Sequence, residues 1–213
     1  MAAPIIYGPS FSTYARTVRL VLEEKGVGYE LKPVNIMTGE GQASEHTSRH
    51  PFAKVPAFEH DGFSLYETSA IVRYVDRVFP APSLQPSDPK QAARMDQIIG
   101  IIDSYAYGAI VGKLVWQRLV VPMQGGQADE GIVQGSTEMV RLSLSEFERL
   151  KGSNPFLAGS QISLADCYLA PIFGYLTMTP DAGALLQATP GLSQWWEQMS
   201  QRPAMQKTPP QFG

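Results

Sequence analysis

The stretch from Lys54 to Ile71 constrains this chain more than any other. Two short apolar runs, Val55-Pro56-Ala57-Phe58 and Phe63-Ser64-Leu65-Tyr66, flank Asp61-Gly62, a dipeptide that favours tight hairpins. Pro56 has no backbone N–H to give to a ladder, so it is expected at the first position of an edge strand. The peptide groups of Val55 then fall just outside the sheet. Backbone N–H and C=O groups need partners, so this corner suits an extended, peptide-like ligand, and a cis bond fits such an X-Pro corner. Glu67-Thr68-Ser69-Ala70-Ile71 follows directly and opens a helix, whose free N–H groups favour an anion. A peptide-binding edge and a carboxylate-binding helix start are thus about ten residues apart.

Upstream, Ile5-Ile6-Tyr7 forms a short strand, Gly8-Pro9 breaks it, and Ser12 precedes a helical pattern over residues 13–25 with Val18, Val21 and Leu22 on one face. Gly26 stops that helix, and residues 29–32 alternate as a second strand. His46 and His50 lie in a polar loop over residues 37–49 and its exit, where histidines are ordinarily solvated. The helix that begins after Glu67 carries Ile71, Tyr74, Val75 and Val78 inward. Strand, helix, strand, hairpin and helix is a thioredoxin-like order. The place of a redox Cys-x-x-Cys holds Ser10, Phe11, Ser12 and Thr13, which excludes disulfide exchange there.

The proline-rich stretch Pro80–Pro89 reads as a stiff connector, and the pattern beyond it is helical throughout. The chain therefore divides into an α/β domain over residues 1–80, a linker over 81–90 and an all-α helical bundle over 91–213. Met95, Ile98, Ile99, Ile102, Ala106 and Ala109 make the inner face of a first long helix, broken around residues 122–126. Val140, Leu144 and Phe147 face inward from a second, over residues 131–150. Ser163 with Asp166 three residues on resembles a capping box, which gives Asp166 a folding role and not a catalytic one. The final amphipathic helix carries Leu192, Trp195, Trp196 and Met199.

With 213 residues, 44% of them hydrophobic, the chain can bury substantial cores. Its net charge of −3 and scattered Lys and Arg argue against a nucleic-acid partner. Apolar runs fall short of a membrane span, and no signal segment is evident, so a cytoplasmic location is expected. A single cysteine, Cys167, forms no internal disulfide. No metal-ligand spacing occurs among the three histidines and that cysteine.

Val55-Pro56 followed by Glu67-Thr68-Ser69-Ala70-Ile71 resembles the glutathione-binding half of cytosolic glutathione transferases. Pro51-Phe52-Ala53-Lys54-Val55-Pro56 and the spacing Ser12-x-x-x-Arg16 are similar to the serine-type, phi class. The resemblance implies a thioredoxin-like domain followed by a helical one, and a transferase that activates glutathione as thiolate and conjugates it to apolar electrophiles. Hydroperoxide reduction is an accompanying activity in serine-type members. It implies that Ser12 donates a hydrogen bond to the sulfur, with Ser10 and Tyr7 as competitors and a simple helix cap as the other reading of Ser12. A free thiol has a pKa of about 8.5, and a hydroxyl donor at a helix start favours its anion.

The backbone of Val55, with Pro56 cis, would pair with the cysteinyl part, and Glu67 and Thr68 would hold the γ-glutamyl end. Phe11 and Arg16 would line or orient the site. The family's His-Lys pair for the glycyl carboxylate is replaced here by Gly41-Gln42, and Lys54 could restore the missing charge. The electrophile pocket, expected between the domains, would use Phe11, Ile36, Met37, Tyr107, Val111 and Trp116. Phe52 occupies the place of an aromatic key in a homodimer. No cofactor is expected beyond glutathione as co-substrate. The alternative function is a non-catalytic glutathione- or ligand-binding module.

Overall fold

The computed structural model describes residues 2–79 and 82–210. The chain forms two compact units: one joins residues up to Gln85 with the segment from Gln201 onward, the other runs from Pro86 to Ser200. The sequence division had placed the whole of 91–213 in the helical domain. The difference is the terminal segment, which belongs with the first unit. At the expected domain boundary, Pro80 and Ala81 lie outside the described residues.

In the first unit, β1 (Ile5–Tyr7) leads to α1 (Thr13–Glu24) and β2 (Glu30–Lys32). A short helix α2 (Ser44–Thr47) precedes the hairpin of β3 (Ala57–His60) and β4 (Phe63–Tyr66), and α3 (Thr68–Val78) follows. The sheet order is β2-β1-β3-β4, with β1 parallel to β2 and antiparallel to β3. Register places Ile6 opposite both Leu31 and Phe58. Asp61 and Gly62 both have positive φ, 48° and 77°, as the tight primed hairpin turn requires. Gly26, at φ 65°, ends α1: its N–H and that of Val27 reach back to the carbonyls of Glu23 and Leu22.

The hairpin is as expected, but β3 is an interior strand, between β1 and β4, and not an edge. Pro56 escapes the conflict by preceding the first ladder residue, Ala57, so the sheet never asks it for an N–H.

Ile6, Val18, Leu22, Phe58, Ile71 and Val75 are fully buried and form the core of this unit. Helix α1 is buried nearly all round, from Ala15 to Leu22, beyond the single face the periodicity suggests. The reason is that it packs on β1, on α3 and on α9 (Pro203–Lys207), the helix of the returning terminal segment. Arg16 Nε donates to the Thr208 carbonyl at 2.9 Å, and Arg202 makes two 2.6 Å bonds to the Glu24 carboxylate.

The second unit opens with α4 (Pro89–Met123), a continuous helix 35 residues long. Its expected inner residues, Met95, Ile98, Ile99, Ile102, Ala106 and Ala109, are all buried. Two stretches, Ile102–Ala106 and Ile110–Val120, take the wider π-helical winding, which no periodicity count foretells. By length and composition α4 could cross a membrane, which amends the expectation that no stretch reaches that length. A buried core helix passes the same test, and the inner face of α4 is spent on packing.

Helix α5 (Glu130–Lys151) buries Val140, Leu144 and Phe147, and α6 (Leu164–Thr177) is apolar on every side. Helices α7 (Ala182–Leu186) and α8 (Pro190–Ser200) complete the unit, with Leu192, Trp195 and Met199 inside. Asp166 accepts from Ser163 N (2.8 Å), Ser163 Oγ (2.7 Å), Leu157 N (2.9 Å) and Trp195 Nε1 (2.8 Å). It is the fold-stabilising cap its spacing indicated, and it also locks a tryptophan from α8.

Candidate active site

The site is built on three features of the first unit: the start of α1, the corner before β3 and the start of α3. Ser12 is the N-cap of α1, in extended conformation, and its Oγ accepts the N–H of Ala15 at 3.3 Å. The oxygen therefore caps the helix, while the hydroxyl proton has no acceptor among the described residues. Ser12 is half-buried, so that proton is accessible to a ligand. An oxygen that accepts from a helix N–H is the better donor for it.

Tyr7 is excluded as the competing donor. It is buried, and its hydroxyl donates to Glu59 at 2.8 Å. Burial and then Glu59 push its pKa above the ordinary phenol range. The Arg49 guanidinium stacks over its ring, 4.2 Å from the centroid. Ser10 offers its backbone instead: its carbonyl accepts from Arg19 Nη1 at 3.5 Å, and Arg19 is braced by the Tyr29 hydroxyl at 3.2 Å. Arg16 is buried and committed to Thr208, so it is neither a solvated helix arginine nor a side chain directed to solvent.

At the corner, the Val55–Pro56 bond is cis. Val55 lies outside the ladder, and its backbone makes no hydrogen bond to a described residue. Its side chain packs against Tyr7, Val34 and Ala57. Lys54 is exposed, and Phe52 is 66% exposed. Gly41 is buried: a Cβ there would meet the Ala53 carbonyl at 3.1 Å, so the backbones touch. Gln42 beside it is exposed. Phe11 is half-buried, and Ile36 and Met37 are exposed apolar residues at 39% and 42%.

At the start of α3, Glu67 has φ 68° and ψ 113°, and no side chain caps the helix. A non-glycine residue there carries roughly 1–3 kcal/mol of strain, which is found where function demands a fixed geometry. The exposed Glu67 carboxylate and the buried Thr68 thus stand at a helix start that no side chain of the described residues caps.

His46 and His50 depart from expectation, for both are 3% exposed and not solvated. Burial keeps the His50 pKa below the ordinary imidazole value, with nearby Glu67 opposing and His46 and Lys54 reinforcing that shift. Their spacing, one helical turn apart, was the signal available in the sequence. In the second unit, on α4, Tyr107 and Val111 are half-buried and Trp116 is 39% exposed. No cluster of three or more metal-ligating side chains occurs among the described residues.

Two family descriptions match the chain: the glutathione S-transferase N-terminal domain over residues 5–77 and the C-terminal domain over residues 109–203. Glutathione S-transferase 1 of Zea mays is 32% identical, covering 97% of this chain and 96% of its own. Probable glutathione S-transferase GSTF2 of Oryza sativa is 33% identical over 97% and 96%. Among solved structures, glutathione transferase F7 of Populus trichocarpa superposes with a TM-score of 0.86 at 31% identity, covering 97% of both chains. Glutathione S-transferase I from maize, solved with an atrazine glutathione conjugate, gives 0.84 at 31%, covering 97% and 96%. Fold, paired domains and relatives agree: the chain belongs to the glutathione S-transferase family, and its likeness is to the phi class.

Proposed function

We propose that this glutathione transferase activates glutathione through Ser12 and adds it to small apolar electrophiles. The observation that carries the reading is the half-exposed Ser12 hydroxyl, polarised by the Ala15 N–H and with its own proton unclaimed. The thiol loses its proton to solvent, and the hydroxyl and the start of α1 stabilise the thiolate left behind. The sulfur lone pair then forms a bond to an electrophilic carbon, and a leaving group departs with its electron pair. The maize relative, solved with an atrazine glutathione conjugate, is consistent with this.

Glutathione would lie with its cysteinyl backbone on Val55, beside cis Pro56. Its γ-glutamyl amine would pair with the Glu67 carboxylate, and its γ-glutamyl carboxylate with Thr68 and the first N–H groups of α3. Gln42 and Lys54 would take the glycyl carboxylate, where Lys54 supplies the positive charge and Gly41 lets the backbone come close. Phe11 would flank the thiol. Arg16 would act on the site at a distance, by holding α1. Ile36, Met37, Tyr107, Val111 and Trp116 are each proposed as electrophile contacts. Glutathione serves as co-substrate without a further cofactor or metal. Hydroperoxide reduction is a second proposed activity. The exposed Phe52, edge-on to Tyr66 at 6.2 Å, is proposed as a homodimer contact, and the enzyme as a cytoplasmic, detoxifying one.

Replacing Ser12 by Ala and measuring conjugation of a chloronitrobenzene tests the core of this reading. Turnover should fall about 10²–10³-fold, the loss typical of one preorganised donor to a developing anion, while glutathione affinity changes little. Collapse of affinity with turnover preserved would make Ser12 structural only. A wild-type protein that binds glutathione yet conjugates no electrophile would be a binding module.

A further inference from the structure

His46 lies behind the corner that carries Val55. Its Nε2 is 2.7 Å from the Lys54 carbonyl. A carbonyl only accepts, so Nε2 carries the proton and Nδ1 is a bare lone pair in the neutral ring. That explains why Nδ1, though buried, has no partner: an unmet acceptor is tolerated better than an orphan N–H. The His50 ring, 6.4 Å away and inclined by 26°, fills the space on one side.

The Lys54 carbonyl and the Val55 N–H belong to one peptide plane. A hydrogen bond given to the carbonyl draws electron density from the nitrogen and makes its N–H a stronger donor. That N–H makes no bond within the described residues. The same segment is held at its other end by a strained residue, Ala53 at φ 54°, with Gly41 against its carbonyl. The peptide before Val55 is therefore gripped from behind and open in front.

We propose that His46 is a positioning residue, which fixes and polarises the Lys54–Val55 peptide so that the Val55 N–H meets the cysteinyl carbonyl of glutathione. The proposal rests on the glutathione-binding reading of Val55 given above. His46 would not touch substrate. It would act on ground-state and transition-state binding alike and leave the sulfur chemistry to Ser12.

Three variants test it: His46→Phe, which keeps the ring volume and removes the donor; His46→Gln, whose amide can reach the same carbonyl; and His46→Asn, which is too short. Glutathione affinity is measured by titration calorimetry, with KM and kcat from steady-state conjugation. His46→Phe and His46→Asn should weaken glutathione about fivefold, the change expected from one neutral hydrogen bond, with kcat at saturating glutathione unchanged. His46→Gln should recover most of the affinity. In the ligand-free protein, the Val55 amide proton resonance should shift upfield in the Phe and Asn variants and not in the Gln variant.

Equal affinity across all four proteins, or equal loss in Gln and Phe, would overturn the proposal. So would a fall in kcat with KM unchanged. If His46→Phe does not fold, His46→Asn carries the comparison. A wild-type protein that fails to bind glutathione would refute the reading of Val55 itself, whereas the Val55 resonance would still report whether His46 polarises the peptide.

Discussion

The longer helices of the two units are capped at their starts to different standards. In the second unit Asp88 accepts two N–H groups of α4, Asp129 accepts two of α5, and Ser163 with Asp166 closes a full capping box on α6. In the first unit Ser12 accepts one N–H and keeps its proton, and α3 begins after a strained Glu67 with no side-chain cap at all. Saturated helix ends hold a fold. Ends with capacity to spare bind ligands, because every donor left unmet by the protein is one a ligand can satisfy. Ser12 and Ser163 make the point with one residue type: Ser163 is fully buried and its hydroxyl is spent on Asp166, while Ser12 is half-exposed and its proton is free.

The largest effect should come from the saturated end. Asp166→Ala strands the Leu157 and Ser163 N–H groups and the Trp195 indole in the interior. Each orphan costs about 1–3 kcal/mol, so a loss of about 4 kcal/mol or more is expected in urea unfolding. A loss near 1 kcal/mol would erase the contrast between the two ends.

The first unit has a saturated buried carboxylate too, Asp76, and acid should expose it. Burial would raise its pKa, but Lys25 Nζ at 2.8 Å, Gln85 Nε2 and the Leu84 N–H outweigh burial and hold it below the ordinary carboxylate value. A folded-state pKa below the unfolded one of about 3.9 contributes stability above that pH. That contribution disappears as pH falls through the folded value. Melting temperature should therefore fall as pH drops below about 4, and Asp76→Asn should flatten that fall while costing about 3 kcal/mol at neutral pH. An unchanged slope would mean that Asp76 titrates alike folded and unfolded.

Ser12→Ala should separate folding from chemistry. It removes a single cap bond, worth about 1 kcal/mol, so its melting temperature should stay near that of the wild type even as turnover drops. A destabilisation as large as that of Asp166→Ala would put Ser12 in the structural class. The smallest expected change is a gain: Glu67→Gly relieves the positive φ and should stabilise the fold by about 1 kcal/mol. Glutathione affinity should fall at the same time, and a variant that bound glutathione normally would detach the strain at Glu67 from ligand binding.

Local signals reached a long way into this molecule. Asp61-Gly62 specifies its own turn, Gly26 its own helix stop, and Ser163 with Asp166 a cap, because each depends on a few neighbouring residues. The inner face of α4 was legible for the same reason, since helical periodicity is local. What stayed hidden depends on residues far apart in the chain. The interior position of β3 follows from its pairing with β1, some fifty residues away, and no dipeptide reports that. Arg16 gives its Nε–H to the carbonyl of Thr208, 192 positions later, a contact that no local pattern reports. His46 and His50 look like loop residues until the folded corner buries them. In the site, Ser12, Val55-Pro56 and Glu67-Thr68 stood out by motif, whereas the support behind them did not.

The return of the terminal segment has a consequence for how the protein is made. Helix α9 rests on α1, and Arg16 and Glu24 of that helix are tied to Thr208 and Arg202. The first unit is thus completed only by residues that are made after the whole of the second. Cutting the chain after Gln85 would not release a finished glutathione-binding unit but one with the back of its first helix stripped bare.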